Sequence, residues 1–169
     1  RGLGDVYKRQ ILATAAQRGE LAIWLVALHL GLRQGERLGL RWDDVNIDGP
    51  NPSISVRNSL SRVKGRGLVL DVPKTASSVR TIPLTDEVVR VLREHRKFQR
   101  EAKLRQGHKA QRFEHVFTTH DGLPIDSSND RKAWVALLKA ANVPFKKLHA
   151  ARHTTATLMH ANGVDLLSV

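Results

Sequence analysis

Cysteine is absent from this sequence of 169 residues. Its absence excludes disulfide bonds, catalysis by a thiolate and zinc sites built on cysteine. Apolar runs are also short, and the longest extends only from Leu21 to Leu28, whereas a helix that crosses a bilayer needs about 20 apolar residues. The first residues are polar, unlike a secretory signal peptide. We therefore expect a cytoplasmic protein without a membrane-spanning segment.

Acidic and aromatic residues are scarce as well. Lysine and arginine together number 28, aspartate and glutamate 16, and the net charge is +12. Such an excess favours a polyanionic partner, with nucleic acid first and an acidic membrane surface second, although a protein can be basic without any such partner. Aromatic residues make up only 5% of the chain, which argues against an RNA-binding adaptor or a protein that stacks single-stranded bases.

The first ten residues resemble translated adaptor sequence rather than the start of a domain. They read Arg-Gly-Leu-Gly-Asp-Val-Tyr-Lys-Arg-Gln. We expect residues 1–10 to be a non-native leader and residues 11–169 to form the domain. The leader contains Tyr7, the only tyrosine of the sequence.

The remaining residues predict a single domain of mostly helical structure. Apolar spacing indicates helices at residues 11–18, 20–30, 34–40, 126–141 and 148–161. Thr85 is placed to cap another long helix, whose inward positions include Leu92 and Phe98. Alternating residues predict strands near 53–57, 68–72 and 79–84. We expect an α+β fold, mostly α with a small three-stranded antiparallel meander, with Lys74 on its second turn.

Arg33 lies at a junction between an apolar helix and a short one. An arginine there can be held rigidly and point into a cleft, where its planar guanidinium matches the oxygens of a phosphate. Alternatively, it offsets the dipole at the end of the preceding helix. Glu36, one turn further on, can orient a guanidinium or form an ordinary surface ion pair.

His149 and Arg152 share one face of the last predicted helix, one turn apart. From there both can reach one oxyanion, so together with Arg33 they indicate a site for a phosphodiester. The alternative is a solvated basic face, which is the commoner arrangement of such stripes. His149 and His153 have the spacing of a zinc-binding helix, but Ala150 stands where metalloprotease chemistry needs a glutamate. We expect no metal.

Lys74 follows a proline in a predicted turn. A lysine there can bind a phosphate or donate a proton, and it can equally be an ordinary solvated turn residue. Arg80, on the strand that follows, has the same two interpretations. Neither residue identifies a function alone.

Taken in order, these residues resemble the motifs of tyrosine recombinases of the phage-integrase type. Arg33 lies in Gly-Leu-Arg-Gln-Gly-Glu, Lys74 in Pro-Lys-Thr-Ala-Ser-Ser-Val-Arg-Thr-Ile-Pro-Leu, and His149 with Arg152 in His-Ala-Ala-Arg-His-Thr. The segment Leu-Arg-Trp-Asp-Asp-Val after Gly39 is similar to this family too. The resemblance covers residues 11–169 and depends on the combination rather than on any single motif.

The resemblance implies site-specific recombination or integration of double-stranded DNA, by a homotetramer and without a metal or cofactor. Arg33 and Arg152 would hold the scissile phosphate and stabilise its transition state. His149 would hydrogen-bond the phosphate or help to move a proton, and Lys74 would protonate the departing 5′ oxygen. A tyrosine would attack and form a covalent 3′-phosphotyrosyl link.

In this family a further histidine or tryptophan box and the attacking tyrosine follow the helix with histidine and arginine. Neither occurs before Val169, so we expect an incomplete catalytic domain that does not cleave DNA alone. Tyr7 precedes every motif and is not the expected nucleophile. The alternative is a non-catalytic, basic DNA-binding protein in which residues 90–112 follow the phosphate backbone.

Overall fold

The computed structural model describes residues 3–72, 75, 79–107 and 113–149. These residues form a mostly helical structure with two small antiparallel sheets. In chain order the elements are α1 (Asp5–Gln17), α2 (Leu21–His29), α3 (Gln34–Leu38), a 3-10 turn (Trp42–Asp44), β1 (Val45–Asn46), β2 (Ser53–Val56), β3 (Ser59–Val63), β4 (Gly67–Asp71), β5 (Arg80–Pro83), α4 (Asp86–Gln106) and α5 (Ser127–Ala140).

The chain folds into two compact units. The first contains the residues up to Gln34 together with those from Ser128 onward, and the second contains Gly35–Ser127. The chain therefore leaves the first unit within α3 and returns to it within the first turn of α5.

The first unit is built on an apolar core shared by α1, α2 and α5. The rings of Trp24 on α2 and Trp134 on α5 lie 5.4 Å apart at 45°. Ile11, Leu28 and Leu137 are fully buried around them. Most of α2 is buried, which explains why its sequence is apolar nearly all round.

The second unit contains the two sheets. In the three-stranded sheet β2 is central, and Ile54 pairs with Val45 of β1 on one side and with Ile82 of β5 on the other. β3 and β4 form a separate hairpin in which Leu60 lies opposite Leu70. All of these pairings are antiparallel.

Two glycines let the hairpin approach α3 closely. A Cβ atom on Gly39 would lie 2.9 Å from the backbone nitrogen of Leu60 and 3.0 Å from the carbonyl oxygen of Gly35. One on Gly35 would lie 2.9 Å from the carbonyl oxygen of Leu60. Non-bonded heavy atoms prefer about 3.5–4.0 Å, so a larger residue at either position would push β3 away from α3.

The long helix α4 begins as predicted. The Thr85 hydroxyl oxygen accepts a hydrogen bond from the backbone N–H of Val88, and Val88 and Leu92 are buried. The prediction that Phe98 faces inward was wrong, because its side chain is 62% exposed and Gln99 is buried instead.

Gln99 takes the inward position because its amide is satisfied there. It accepts a hydrogen bond of 2.6 Å from the indole N–H of Trp42 and donates one of 2.7 Å to the carbonyl oxygen of Val116. Apolar spacing could not show this, because the pattern treats a glutamine as a solvent-facing residue.

The predicted three-stranded meander was wrong in its pairing. The predicted strand at 68–72 corresponds to β4, which pairs with β3 in the separate hairpin, while β1 completes the larger sheet. β1 has only two residues, and β3 buries only Leu60 in an otherwise largely polar stretch, so neither shows a clear alternation. The chain between β4 and β5 therefore joins two sheets rather than neighbouring strands of one.

The N-terminal residues of the first unit differ from the sequence prediction. α1 begins at Asp5 rather than at residue 11, and Leu3 is buried in the core. The side-chain amide of Gln10 donates a hydrogen bond to the carbonyl oxygen of Ala141, so part of the predicted leader packs with the domain. That residues 1–10 are foreign stays a prediction. Of the predicted last helix, all but residues 148 and 149 lies outside the described residues.

Gly39→Ala tests the close approach of the hairpin. We expect a loss of about 1–3 kcal/mol in the free energy of unfolding, because the new methyl group meets backbone atoms that cannot move independently. Gly49→Ala is the control, since a Cβ atom there would make only ordinary contacts with Asn46. Urea unfolding measures both, and equal stability of the two variants would contradict the proposed close packing.

The second unit contains a half-buried histidine, His95, and a buried one, His115. The ring of His95 lies 6.1 Å from that of Trp42 and 5.4 Å from that of Phe117. Burial lowers the pKa of His95, and burial, followed by the nearby charge of Arg41, lowers the pKa of His115. In both cases the charged ring would lose hydration that the interior does not replace.

The free energy of unfolding should therefore fall as the pH drops below about 6.5, the ordinary pKa of histidine. In that range the unfolded chain binds protons that the folded chain still excludes. His95→Gln should reduce the change in stability between about pH 7.5 and about pH 5.5, whereas His120→Gln, at an exposed site, should not. Urea titrations at the two pH values decide, and an unchanged pH dependence in His95→Gln would refute the assignment.

Candidate active site

Arg33 is held at the turn between α2 and α3. Gly31 has a positive φ of 66°, which glycine adopts readily, and it turns the chain away from the end of α2. Leu32 then returns to the core at 2% exposure, while Arg33 is exposed. Arg33 is thus an exposed residue on a backbone that is anchored immediately before it.

The residue after Arg33 is anchored as well. The side-chain amide of Gln34 donates a hydrogen bond of 2.9 Å to the carboxylate of Asp130 in α5, and Asp130 is 2% exposed. Sequence reasoning gave neither residue a role. A signal existed for Asp130, because it shares a helical face with Trp134 and Leu137, where an acid is unusual.

His149 is exposed and belongs to the same unit as Arg33. The core fixes the segment that leads to it, because the indole N–H of Trp134 donates a hydrogen bond of 2.7 Å to the carbonyl oxygen of Lys146. Leu148 packs against the cluster that contains both tryptophans. His149 is thus placed on the surface by contacts on its N-terminal side.

Lys74 and Arg152 lie outside the described residues, so their places in the site stay predictions. The chain on either side of Lys74 is described, since it leaves β4 at Asp71 and enters β5 at Arg80. At that entry point Arg80 donates two hydrogen bonds, of 2.7 and 3.0 Å, to the carboxylate of Glu36 in α3.

The contact with Arg80 decides between the two interpretations of Glu36. The carboxylate is only 14% exposed and binds the guanidinium with both oxygens, so it orients an arginine rather than forming a loose surface pair. Hydrogen bonding to Glu36 raises the pKa of Arg80. The pair ties the first residue of β5 to the helix that follows Arg33.

Other arginines of the second unit are engaged in contacts within it. Arg93 donates a hydrogen bond to the carbonyl oxygen of Ile47, and Arg96 donates two to the carboxylate of Asp48. These bonds attach α4 to the loop after β1. They also lower the pKa of Asp48, chiefly through its hydrogen bond with Arg96.

Among the residues that the structure describes, no group of three or more histidine, aspartate or glutamate side chains is arranged to hold a metal ion. Every helix in that part of the chain is too short or too polar to span a bilayer.

Comparisons with known proteins agree with the family resemblance of the sequence motifs. Residues 8–169 match the phage integrase family. A tyrosine recombinase XerC-like protein of Caldanaerobacter subterraneus subsp. tengcongensis is 38% identical, over 88% of this chain and 40% of its own length. This chain spans about two fifths of the length of the curated relatives that it matches.

Solved structures are similar over almost the whole chain. The Tn1549 transposon integrase in complex with transposon right end DNA is 27% identical with a TM-score of 0.73, over 97% of this chain and 54% of that one. XerA recombinase has a TM-score of 0.73 at 23% identity, over 98% of this chain and 52% of its own. The second likeness shows the fold alone.

Trp134→Phe tests how the His149 segment is held. Loss of the indole N–H should leave the Lys146 carbonyl without that donor, so amide hydrogen exchange across residues 145–149 should become faster. Trp24→Phe is the matched control, because it trims the other ring of the same core and its indole bonds Glu20 instead. Faster exchange of this segment in both variants, or in neither, would contradict the assignment.

Proposed function

Because this chain belongs to the phage integrase family, we propose that it acts on double-stranded DNA as the catalytic region of a site-specific recombinase or integrase. Its mostly helical fold with small antiparallel sheets is that of tyrosine recombinase catalytic domains. The proposed reaction cuts and rejoins strands through a 3′-phosphotyrosyl link. The observation that carries the proposal is the exposed Arg33 between two anchored neighbours.

Two arginines are proposed to bind the scissile phosphate. Arg33 and Arg152 would each offer a planar fork of N–H donors to the non-bridging oxygens, whose charge increases in the pentavalent transition state. Such donors act best when their positions are fixed before the reaction, since no reorganisation is then needed. The anchoring of Arg33 through Leu32 and Gln34 supports this role.

His149 and Lys74 are proposed to handle hydrogen bonding and protons. His149 would donate a hydrogen bond to a phosphate oxygen or help to move a proton, and its place in the same unit as Arg33 supports a shared task. Lys74 would protonate the departing 5′ oxygen, because an unprotonated alkoxide is a poor leaving group. The contact of Arg80 with Glu36 supports a fixed exit from the Lys74 connection.

The attacking tyrosine is proposed to be one other than Tyr7. Tyr7 lies outside residues 8–169, which match the family, and it precedes each of the residues assigned a role above. These residues would then bind and polarise a phosphate, and another part of the protein would supply the nucleophile.

Double-stranded DNA is the proposed partner. The net charge of +12 supports it, and so does the DNA bound to the Tn1549 transposon integrase. A homotetramer that holds two duplexes is the proposed assembly, as the family resemblance implies. A chromosomal or mobile-element substrate would place the protein in the bacterial cytoplasm.

A non-catalytic DNA-binding protein is the alternative. It requires the basic helix α4 to follow the phosphate backbone, yet Arg93 and Arg96 on this helix are engaged with Ile47 and Asp48. A phosphate would have to compete with these contacts. The match of residues 8–169 to the phage integrase family favours the catalytic proposal over this alternative.

Arg33→Ala tests the catalytic proposal in the protein encoded by the complete reading frame that contains these residues. Covalent trapping on a nicked suicide duplex from the element's own junction should slow by on the order of 10²-fold or more. DNA affinity should fall only slightly, because many phosphate contacts share the binding. Arg18→Ala, which removes an arginine paired with Glu20 in the same unit, should cleave like the wild type.

Two outcomes would oppose the proposal. Trapping by Arg33→Ala at the wild-type rate would remove Arg33 from the site. Salt-sensitive DNA binding by the wild type without any covalent product would favour the non-catalytic alternative.

A further inference from the structure

A buried carboxylate on α5 has no part in the mechanism proposed above. Asp130 lies on the helical face that also carries Trp134, Leu137 and Leu138, and all four are buried. Removing a carboxylate from water is unfavourable unless it is hydrogen-bonded. An apolar residue would fill this position without that cost, so the choice of aspartate calls for a reason beyond packing.

The contact made by Asp130 supplies a reason. Its carboxylate accepts the 2.9 Å hydrogen bond from the side-chain amide of Gln34, which is 96 positions away in the sequence. Gln34 is the first residue of α3 and the immediate neighbour of Arg33. The bond therefore connects the interior of the first unit to the backbone that carries the exposed guanidinium.

Arg33 is thereby held from both sides. On its N-terminal side Gly31 turns the chain and Leu32 inserts into the core. On its C-terminal side Gln34 is attached to Asp130. A residue between two attached neighbours loses most of the freedom of its backbone.

We propose that Asp130 and Gln34 are positioning residues that fix the backbone of Arg33 for contact with the scissile phosphate. This inference rests on the proposed function of Arg33. Misplacement of a catalytic group by about 1 Å can cost on the order of 10²-fold in rate, so a bond that fixes one backbone position can matter for catalysis without adding stability. A purely structural acid in the first turn of a helix would instead stabilise the helix dipole.

The experiment compares variants that remove the bond from either end, in the protein encoded by the complete reading frame. Gln34→Met keeps the length of the side chain and removes its donor, and Asp130→Leu fills the apolar face without an acceptor. Asp130→Asn retains an oxygen that accepts from Gln34, and Gln17→Met is a matched control at an exposed site of the same unit. Single-turnover cleavage at saturating protein, DNA affinity and melting temperature are measured for each.

We expect Gln34→Met and Asp130→Leu each to slow cleavage about tenfold or more, with DNA affinity near the wild-type value. Gln34→Met should also lower the melting temperature, because it leaves the buried carboxylate without this donor. The double variant should be no slower than the slower single variant, because both changes break one bond. Asp130→Asn should recover most of the rate, and Gln17→Met should not differ from the wild type. A role in the helix dipole alone predicts that Asp130→Leu lowers the melting temperature and leaves the cleavage rate at the wild-type value.

A second comparison asks whether the pair acts through Arg33. In an Arg33→Lys background the planar fork is absent, so Gln34→Met should cause a smaller loss than it does beside Arg33. An equal loss in both backgrounds, or wild-type cleavage by Gln34→Met and Asp130→Leu, would overturn the inference and leave the proposed function intact. Failure of the wild type itself to cleave would overturn the proposed function, and this inference with it.

Discussion

The core around Trp24 and Trp134 is the constraint from which both described candidate residues are presented. Trp24 holds α2, whose end leads through Gly31 to Arg33, and Trp134 holds both α5 and, through its indole N–H, the segment that leads to His149. A tilted aromatic pair of this kind contributes about 0.5–1.5 kcal/mol beyond the burial of its area. One core thus fixes two exposed side chains that are far apart in the sequence.

The short helix α3 is stabilised by contacts that its individual residues make with other elements. Five residues are too few for an isolated helix to be stable in water, so its neighbours stabilise it. Within the second unit Gly35 admits the backbone of β3 and Glu36 binds Arg80 at the start of β5. Gln34 binds Asp130 within the first unit, to which both residues belong. Successive residues of α3 contact different elements, and a change at one of them should affect the element that it contacts.

Sequence reasoning predicted α4 and α5 well and the sheets poorly, for physical reasons. Helical spacing and the Thr85 cap are local signals, and α4 and α5 agree with the prediction within a residue or two at their described ends. The pairing of β3 with β4 was missed because β3 buries only Leu60, and β1 because it is only two residues long. Both strands are specified by partners rather than by their own pattern.

The candidate site was predictable only in part. The order of the motifs predicted Arg33 and His149, and the structure shows that both are exposed residues of one unit, while their roles stay predictions. Asp130 was missed because its proposed role depends on Gln34, 96 positions away, and no local sequence pattern spans that separation. Gln99 was missed for the same reason, since its partners Trp42 and Val116 come from two separate loops.

Charge and geometry have different tasks in this chain. Acidic residues neutralise individual arginines in pairs such as Arg57–Asp44 and Arg62–Asp126, and the remaining surplus of +12 supplies a field that attracts a polyanion. Salt screens that field beyond about 8 Å at physiological ionic strength, so it can bring DNA to the surface but cannot select one phosphate. That selection requires a guanidinium in a fixed place. The backbone of the proposed guanidinium, Arg33, is held by the turn at Gly31, the buried Leu32 and the part-buried hydrogen bond between Gln34 and Asp130.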